Sequence, residues 1–170
     1  MKELPPGETG EILTHGPQVF KGYWNDAEKT RAAFVEIDGK SFFRTGDLAQ
    51  TDDEGYFFLV DRLKRMINAS GFKVWPAEIE AMLYAHPAIR EACIIAAKDA
   101  HRGETVKAFV VLQPGAEDTT AESIIEWSKQ KMAAYKYPRM VEFIGALPKS
   151  GAGKVQWRLL QEQENARHPA

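Results

Sequence analysis

Lys154 closes the run Leu147-Pro148-Lys149-Ser150-Gly151-Ala152-Gly153-Lys154, and a lysine so placed can do electrostatic chemistry. Gly151 and Gly153 remove side-chain bulk beside it, so the backbone there can swing and approach a ligand closely. An ammonium on such a loop delivers a compact positive charge to an anion assembled elsewhere. A nucleotide P-loop is excluded. That motif needs Gly five residues before the Gly-Lys pair and Ser or Thr after the lysine, where this chain has Pro148 and Val155. Taken alone, Lys154 also reads as a solvated loop lysine.

Three other places carry groups with chemical uses. Asp47 follows Thr45-Gly46 at what reads as a turn, and its two acceptor oxygens suit the adjacent hydroxyls of a ribose. An Asx-type turn is the plainer alternative. Arg62 has a planar donor fork fitted to phosphate or ribose oxygens, or to pairing with Asp61 or Glu78. Ser70-Gly71-Phe72 reads as a small loop with accessible amides that could line an extended ligand arm, or as an ordinary hairpin turn. Cys93 lies inside the apolar run Cys93-Ile94-Ile95-Ala96-Ala97 and reads as a buried thiol, not a nucleophile.

The elements that must hold these groups fall into two parts. The first sixty residues read as β-rich, with strands at Glu11–Thr14 and Tyr56–Val60 and one short helix within Asn25–Phe34. A charged break, Asp61 to Arg65, follows. Beyond it the pattern predicts β-β-α-β-β-α-β-α: a tight strand pair around Ala69-Ser70-Gly71, then a helix opening at Pro76 and ending by His86-Pro87. Apolar strands at Ile89–Ala97 and Val106–Leu112 come next, joined by a polar loop from Lys98 to Glu104. Thr119 and Glu122 form a capping-box pattern ahead of a second helix. A strand at Val141–Ile144 leads to the Lys154 loop, and Val155–Gln163 has helical spacing. The expected fold is α+β: a small mixed or antiparallel sheet with helices, preceded by a β-rich strip.

Composition sets the class. The chain has 170 residues, 44% of them hydrophobic and 27% charged, with a net charge of −2. That balance lacks the basic footprint of a nucleic-acid or membrane-surface protein. The longest apolar run is far too short to span a bilayer, and the first residues lack the apolar stretch of a signal peptide. The single cysteine allows no internal disulfide, and the four histidines show no metal-ligand spacing. A cytoplasmic protein without a metal site of its own is the expectation.

The order of motifs carries a resemblance. Gly7-Glu8-Thr9-Gly10-Glu11-Ile12, Gly22-Tyr23-Trp24, Phe43-Arg44-Thr45-Gly46-Asp47-Leu48 and Asp61-Arg62-Leu63-Lys64-Arg65-Met66-Ile67 come in series. Ser70-Gly71-Phe72-Lys73-Val74-Trp75-Pro76-Ala77-Glu78-Ile79-Glu80 and the Lys154 loop follow them. In this order the chain resembles the C-terminal third of an adenylate-forming acyl-CoA synthetase, and most closely the fatty-acid type. The resemblance runs from about Gly7 to Gln161.

It implies that residues 1–63 are the β-rich end of the larger N-terminal adenylation domain and residues 64–170 the mobile C-terminal domain. It implies a carboxylic acid, ATP with Mg2+, and coenzyme A as reactants. Lys154 would be the catalytic lysine, Thr45, Asp47 and Arg62 nucleotide contacts, and Lys64 the hinge. Ser70, Gly71, Phe72 and Lys73 would border the coenzyme A channel. Arg102 and Lys107 are further candidates for its phosphates, against a plainer reading as solvated surface charges. The phosphate loop and acid pocket of the family match nothing here, so a truncated or excised piece, inactive alone and prone to self-association through its β-rich strip, is the expectation. The rival readings are an adenylation module that serves a carrier protein and a non-catalytic interaction domain.

Overall fold

The computed structural model describes residues 2–167, and the chain divides into two compact units between Lys64 and Arg65. The first unit contains β1 (Gly10–Thr14), α1 (Ala27–Ala33), β2 (Phe34–Ile37), β3 (Lys40–Thr51) and β4 (Phe57–Arg62). All pairings are antiparallel and all involve β3: β2 takes its first residues, β4 its last, and β1 the length between. Asp26 caps α1, its Oδ1 accepting the Lys29 amide at 2.8 Å. Phe20, Phe34 and Phe43 gather with ring centroids 5.1–5.6 Å apart.

The second unit runs β5 (Ile67–Ala69), β6 (Phe72–Val74), α2 (Pro76–Leu83), β7 (Ile89–Asp99), β8 (Gly103–Leu112), α3 (Ala121–Lys131), β9 (Met140–Phe143) and α4 (Trp157–Arg167). That is the predicted order. The five-stranded sheet is antiparallel except for β9, which lies parallel to β8. Strand alternation splits the core in two. Ile94, Val106, Ala108 and Val110 bury against Ile79 and Leu83 of α2 and Ile124 of α3. Cys93, Ile95, Phe109 and Val111 bury on the other face with Leu147 and with Leu160 of α4.

Several expectations are corrected. β7 and β8 reach through most of the predicted loop, leaving only Ala100–Arg102 between them. The cap of α3 is Thr120, not Thr119: its Oγ1 accepts the Ser123 amide at 3.1 Å. Asp61 and Arg62 belong to β4, so the charged break shrinks to a 3-10 turn at Leu63–Arg65. The last helix begins at Trp157, two residues later than its spacing suggests, and runs to Arg167. Among the described residues no helix is long and apolar enough to cross a membrane.

Candidate active site

The Lys154 loop is a small closed hairpin. Lys149 and Val155 form an isolated bridge. Inside it the Ser150 amide donates to the Lys154 carbonyl and the Gly153 amide to the Ser150 carbonyl, both at 2.8 Å. Gly153 adopts φ +76°, which a side chain would strain, although space around it is open. Lys154 itself is exposed. The base beneath it is fixed: Leu147 is buried in the α4-side core, and the Lys149 ammonium meets Glu91 of β7 at 2.6 Å. An exposed cation therefore stands on a rigid foot.

In the first unit the structure brings Thr45, Asp47 and Arg62 together. Asp47 is not at a turn between elements but inside β3, directly opposite Arg62 of β4, and Arg62 Nε lies 2.8 Å from Asp47 Oδ1. Within the second unit, Glu78 accepts from Lys136 Nζ. Gly46 at φ +71° kinks the strand. Thr45 Oγ1 accepts the Asp47 amide at 3.0 Å and donates to the Ile12 carbonyl at 2.8 Å. Glu11 completes the kink, accepting from Arg44 Nη2 at 2.8 Å and the Gly46 amide at 3.1 Å. Glu11 stands in the first of the motifs, and nothing in that motif alone marks it for this role. Its signal was a carboxylate beside a strand start, with an arginine and a glycine far along the chain.

Ser70 and Gly71 form the two-residue turn between β5 and β6, with φ of 56° and 85°. Their amides are not free for a ligand. Ser70 N donates to the Arg102 carbonyl at 3.2 Å, and Gly71 N to Asn68 Oδ1 at 3.0 Å. What the turn presents is the exposed Phe72 ring, stacked on Tyr135 with centroids 4.5 Å apart, and the exposed Lys73. This turn and the Lys154 loop lie toward opposite ends of the β7–β8 ladder. Ala69 pairs with Gly103, the partner of Asp99, whereas Lys149 reaches Glu91. Eight residues of strand separate the two anchor points, or roughly 26 Å at 3.3 Å per residue.

Lys107 overturns its reading as a surface charge. It is 5% exposed, and its ammonium lies 2.6 Å from Glu164 of α4 and 2.8 Å from Glu142 of β9. Burial works against the charge on Glu142, but hydrogen bonds from Arg167 and Lys107 outweigh it and hold its pKa below the ordinary glutamate value. Lys107 thus belongs to the seam under α4 and faces no ligand. Cys93 is buried as expected; burial, with the nearby Glu80 carboxylate, pushes its thiol up to about 12. Lys64 is exposed, in the 3-10 turn at the border of the units.

Comparison with known proteins converges on one family. Residues 78–154 match the AMP-binding enzyme C-terminal domain. A long-chain-fatty-acid–CoA ligase of Bacillus subtilis is 46% identical over 163 residues, 96% of this chain and 28% of that protein. ATP-bound MatB from Rhodopseudomonas palustris superposes with a TM-score of 0.88 at 38% identity, over 97% of this chain and 32% of that one. The o-succinylbenzoate CoA synthetase MenE of Bacillus subtilis, in complex with its acyl-adenylate intermediate, gives 0.78 at 32% identity, over 92% and 31%. The chain thus spans less than a third of the length of these relatives. It belongs to the family of adenylate-forming acid–CoA ligases and carries their AMP-binding enzyme C-terminal domain.

Proposed function

We propose that this chain serves an ATP-dependent acid–CoA ligase, supplying the catalytic lysine, the hinge and one wall of the coenzyme A channel. In the first half-reaction a carboxylate oxygen bonds to the α-phosphorus of ATP while the bond to pyrophosphate breaks, giving acyl-adenylate. In the second, the coenzyme A sulfur bonds to the acyl carbon and AMP leaves, the thiol proton passing to solvent. Negative charge concentrates between carboxylate and phosphate in the first step, where a positioned ammonium stabilises the transition state most. Lys154 is that ammonium. Asp47 and Thr45 would face the ribose, with Arg62 beside them. Ser70, Gly71, Phe72 and Lys73 would border the thiol's path, offering an aromatic ring and a cation in place of free amides.

The observation that carries this reading is the Lys154 hairpin, an exposed charge on a buried foot, toward the opposite end of the β7–β8 ladder from the Ser70–Lys73 turn. Two ends of one rigid body can serve two steps if the body turns, and Lys64, exposed at the unit border, is the residue about which it would turn. Among the described residues no group of three or more His, Cys, Asp or Glu gathers to hold a metal. Mg2+ would accompany ATP, held mainly by the larger N-terminal domain of such a ligase. A fatty acid is the proposed acyl donor, in keeping with the Bacillus subtilis ligase, and the cytoplasm the proposed location. Alone the chain would not turn over, since Asp47 and Arg62 make only one wall of a nucleotide site. In a ligase that contains this chain, Lys154→Ala should slow acyl-adenylate formation by about 10²–10³. Pyrophosphate release on mixing acid and ATP measures it, and an unchanged burst would defeat the assignment.

A further inference from the structure

Arg65 follows Lys64 directly and opens the second unit, with its side chain 14% exposed. Its guanidinium forks onto Glu80 of α2, Nη1 to Oε2 at 3.2 Å and Nη2 to Oε1 at 2.5 Å. Nη2 also donates to the Ile94 carbonyl at 3.3 Å, and Glu80 Oε1 accepts the Ile94 amide at 2.9 Å. The pair thus occupies both backbone groups of Ile94 on the open edge of β7, as a neighbouring strand would. Two residues on, Gln161 of α4 does the same to Ala96, accepting its amide at 3.0 Å and donating to its carbonyl at 2.8 Å. Sealing an edge strand needs only polar or charged cover. The further feature is what stands against the arginine: its Cζ lies 5.7 Å from the ring centroid of Trp157, within cation–π range. Trp157 opens α4 three residues after Lys154, and its ring packs on the α4-side core.

We propose that Arg65 is a positioning residue for Lys154, a strut that ties the residue beside the pivot to the foot of the lysine loop. The inference rests on the reading of Lys64 as pivot and Lys154 as adenylation cation. A torsion change at Lys64 passes at once to Arg65, which is locked to α2, to β7 and to the first residue of α4. The Lys154 loop therefore turns with the pivot as one body and does not lag behind it. An arginine suits the task because its planar fork meets Glu80, Ile94 and the indole together, which a lysine ammonium cannot.

Hydrogen exchange on this chain and half-reaction kinetics on a ligase containing it test the strut together. In Arg65→Met the amides of Ser150, Gly153, Lys154 and Gln156 should exchange about 10-fold faster while the β7–β8 amides keep their protection, with Arg65→Lys in between. In the ligase, Arg65→Met should lower the rate of acyl-adenylate formation at saturating ATP by about 10-fold, through misplacement of the cation. The KM for ATP and the conversion of supplied acyl-adenylate to thioester should stay within about 2-fold. A purely structural arginine would slow both half-reactions alike and loosen the whole sheet. That result, or unchanged loop exchange in a folded Arg65→Met, overturns the proposal. If Arg65→Met does not fold, Trp157→Leu decides, since it removes the far end of the strut and leaves the Arg65–Glu80 pair: a loosened loop supports the strut, an unchanged one overturns it. Lys154→Ala is measured alongside. Should it spare adenylation, the reading of the lysine fails while the exchange data still decide the strut.

Discussion

The two units of this chain solve the problem of a sheet's two faces differently. In the second, α2 and α3 cover one face and α4 the other, so Lys107 and Phe109 of β8 are buried although they point away from Ile94, Ala108 and Ile124. In the first, Leu48 and Ala49 are the buried apolar residues among those described, and Phe57, Phe58 and Leu59 stand exposed along β4. One unit carries its own core and the other offers apolar surface, a feature of surfaces that meet a partner. The functional groups follow the same division. Lys154 draws its precision from a closed core beneath it, whereas Asp47 and Arg62 rely on a kinked strand pair and on each other.

That contrast breaks most visibly under large-to-small substitution. Phe109→Ala should cost the second unit about 3–5 kcal/mol, as a buried aromatic leaves a cavity. Phe58→Ala in the first should stay within about 0.5 kcal/mol, because its ring is already in water. Urea unfolding of the two variants compares them directly. Equal losses would mean that the exposed strand contributes as much as the core.

Lys107→Met comes next. Removing the lysine takes away the cation nearest Glu164 while Arg167 stays 3.9 Å from Glu164 and 2.7 Å from Glu142, so the cost should sit near the lower end for a broken buried pair, about 3 kcal/mol. The double variant Lys107→Met/Glu164→Met should recover much of it. The acid side carries a sign. Glu142, depressed in the folded chain, contributes stability that is present above its unfolded pKa and lost as pH falls through the folded one. Losing the Lys107 donor should shrink that acid-dependent part, read from unfolding midpoints between neutral and acidic pH.

Gln161→Ala should cost less than the Phe109 or Lys107 change, about 1–2 kcal/mol for two hydrogen bonds to a backbone that water can then partly reach. It sharpens the comparison because it uncovers the β7 edge without touching the core. Exchange of the Ala96 amide should rise well above that of its neighbours on β8.

How much of this was legible depended on whether one face or two were buried. The elements after Arg65 could be ordered because Pro76, the Ser70-Gly71 turn and the apolar spacing of Ile79 and Leu83 each speak locally. The β2–β3 hairpin is hard to read from sequence despite Asp38-Gly39 at its turn. Its strands carry Glu36, Lys40, Ser41 and Arg44 and bury too little to show a period of two. Lys107 misleads for the opposite reason: a charge amid Val106 and Ala108 looks solvent-facing until α4, far along the chain, brings Glu164 over it. Within the candidate site, Asp47, Arg62 and Lys154 stood out by type and motif. Glu11 and Arg65 act through long-range pairing with Arg44 and Glu80, which no spacing along the chain announces.

If one small unit serves two half-reactions by turning, two variants should show opposed losses. Adenylate formation and thioester formation from supplied acyl-adenylate would be timed separately in a ligase containing this chain, for Lys154→Ala and for Lys64→Pro. Lys154→Ala should lose about 10²–10³ in the first step and little in the second. Lys64→Pro, with φ held near −65°, should keep the first and lose the second. Both variants failing in the same half-reaction, or each failing equally in both, would contradict it.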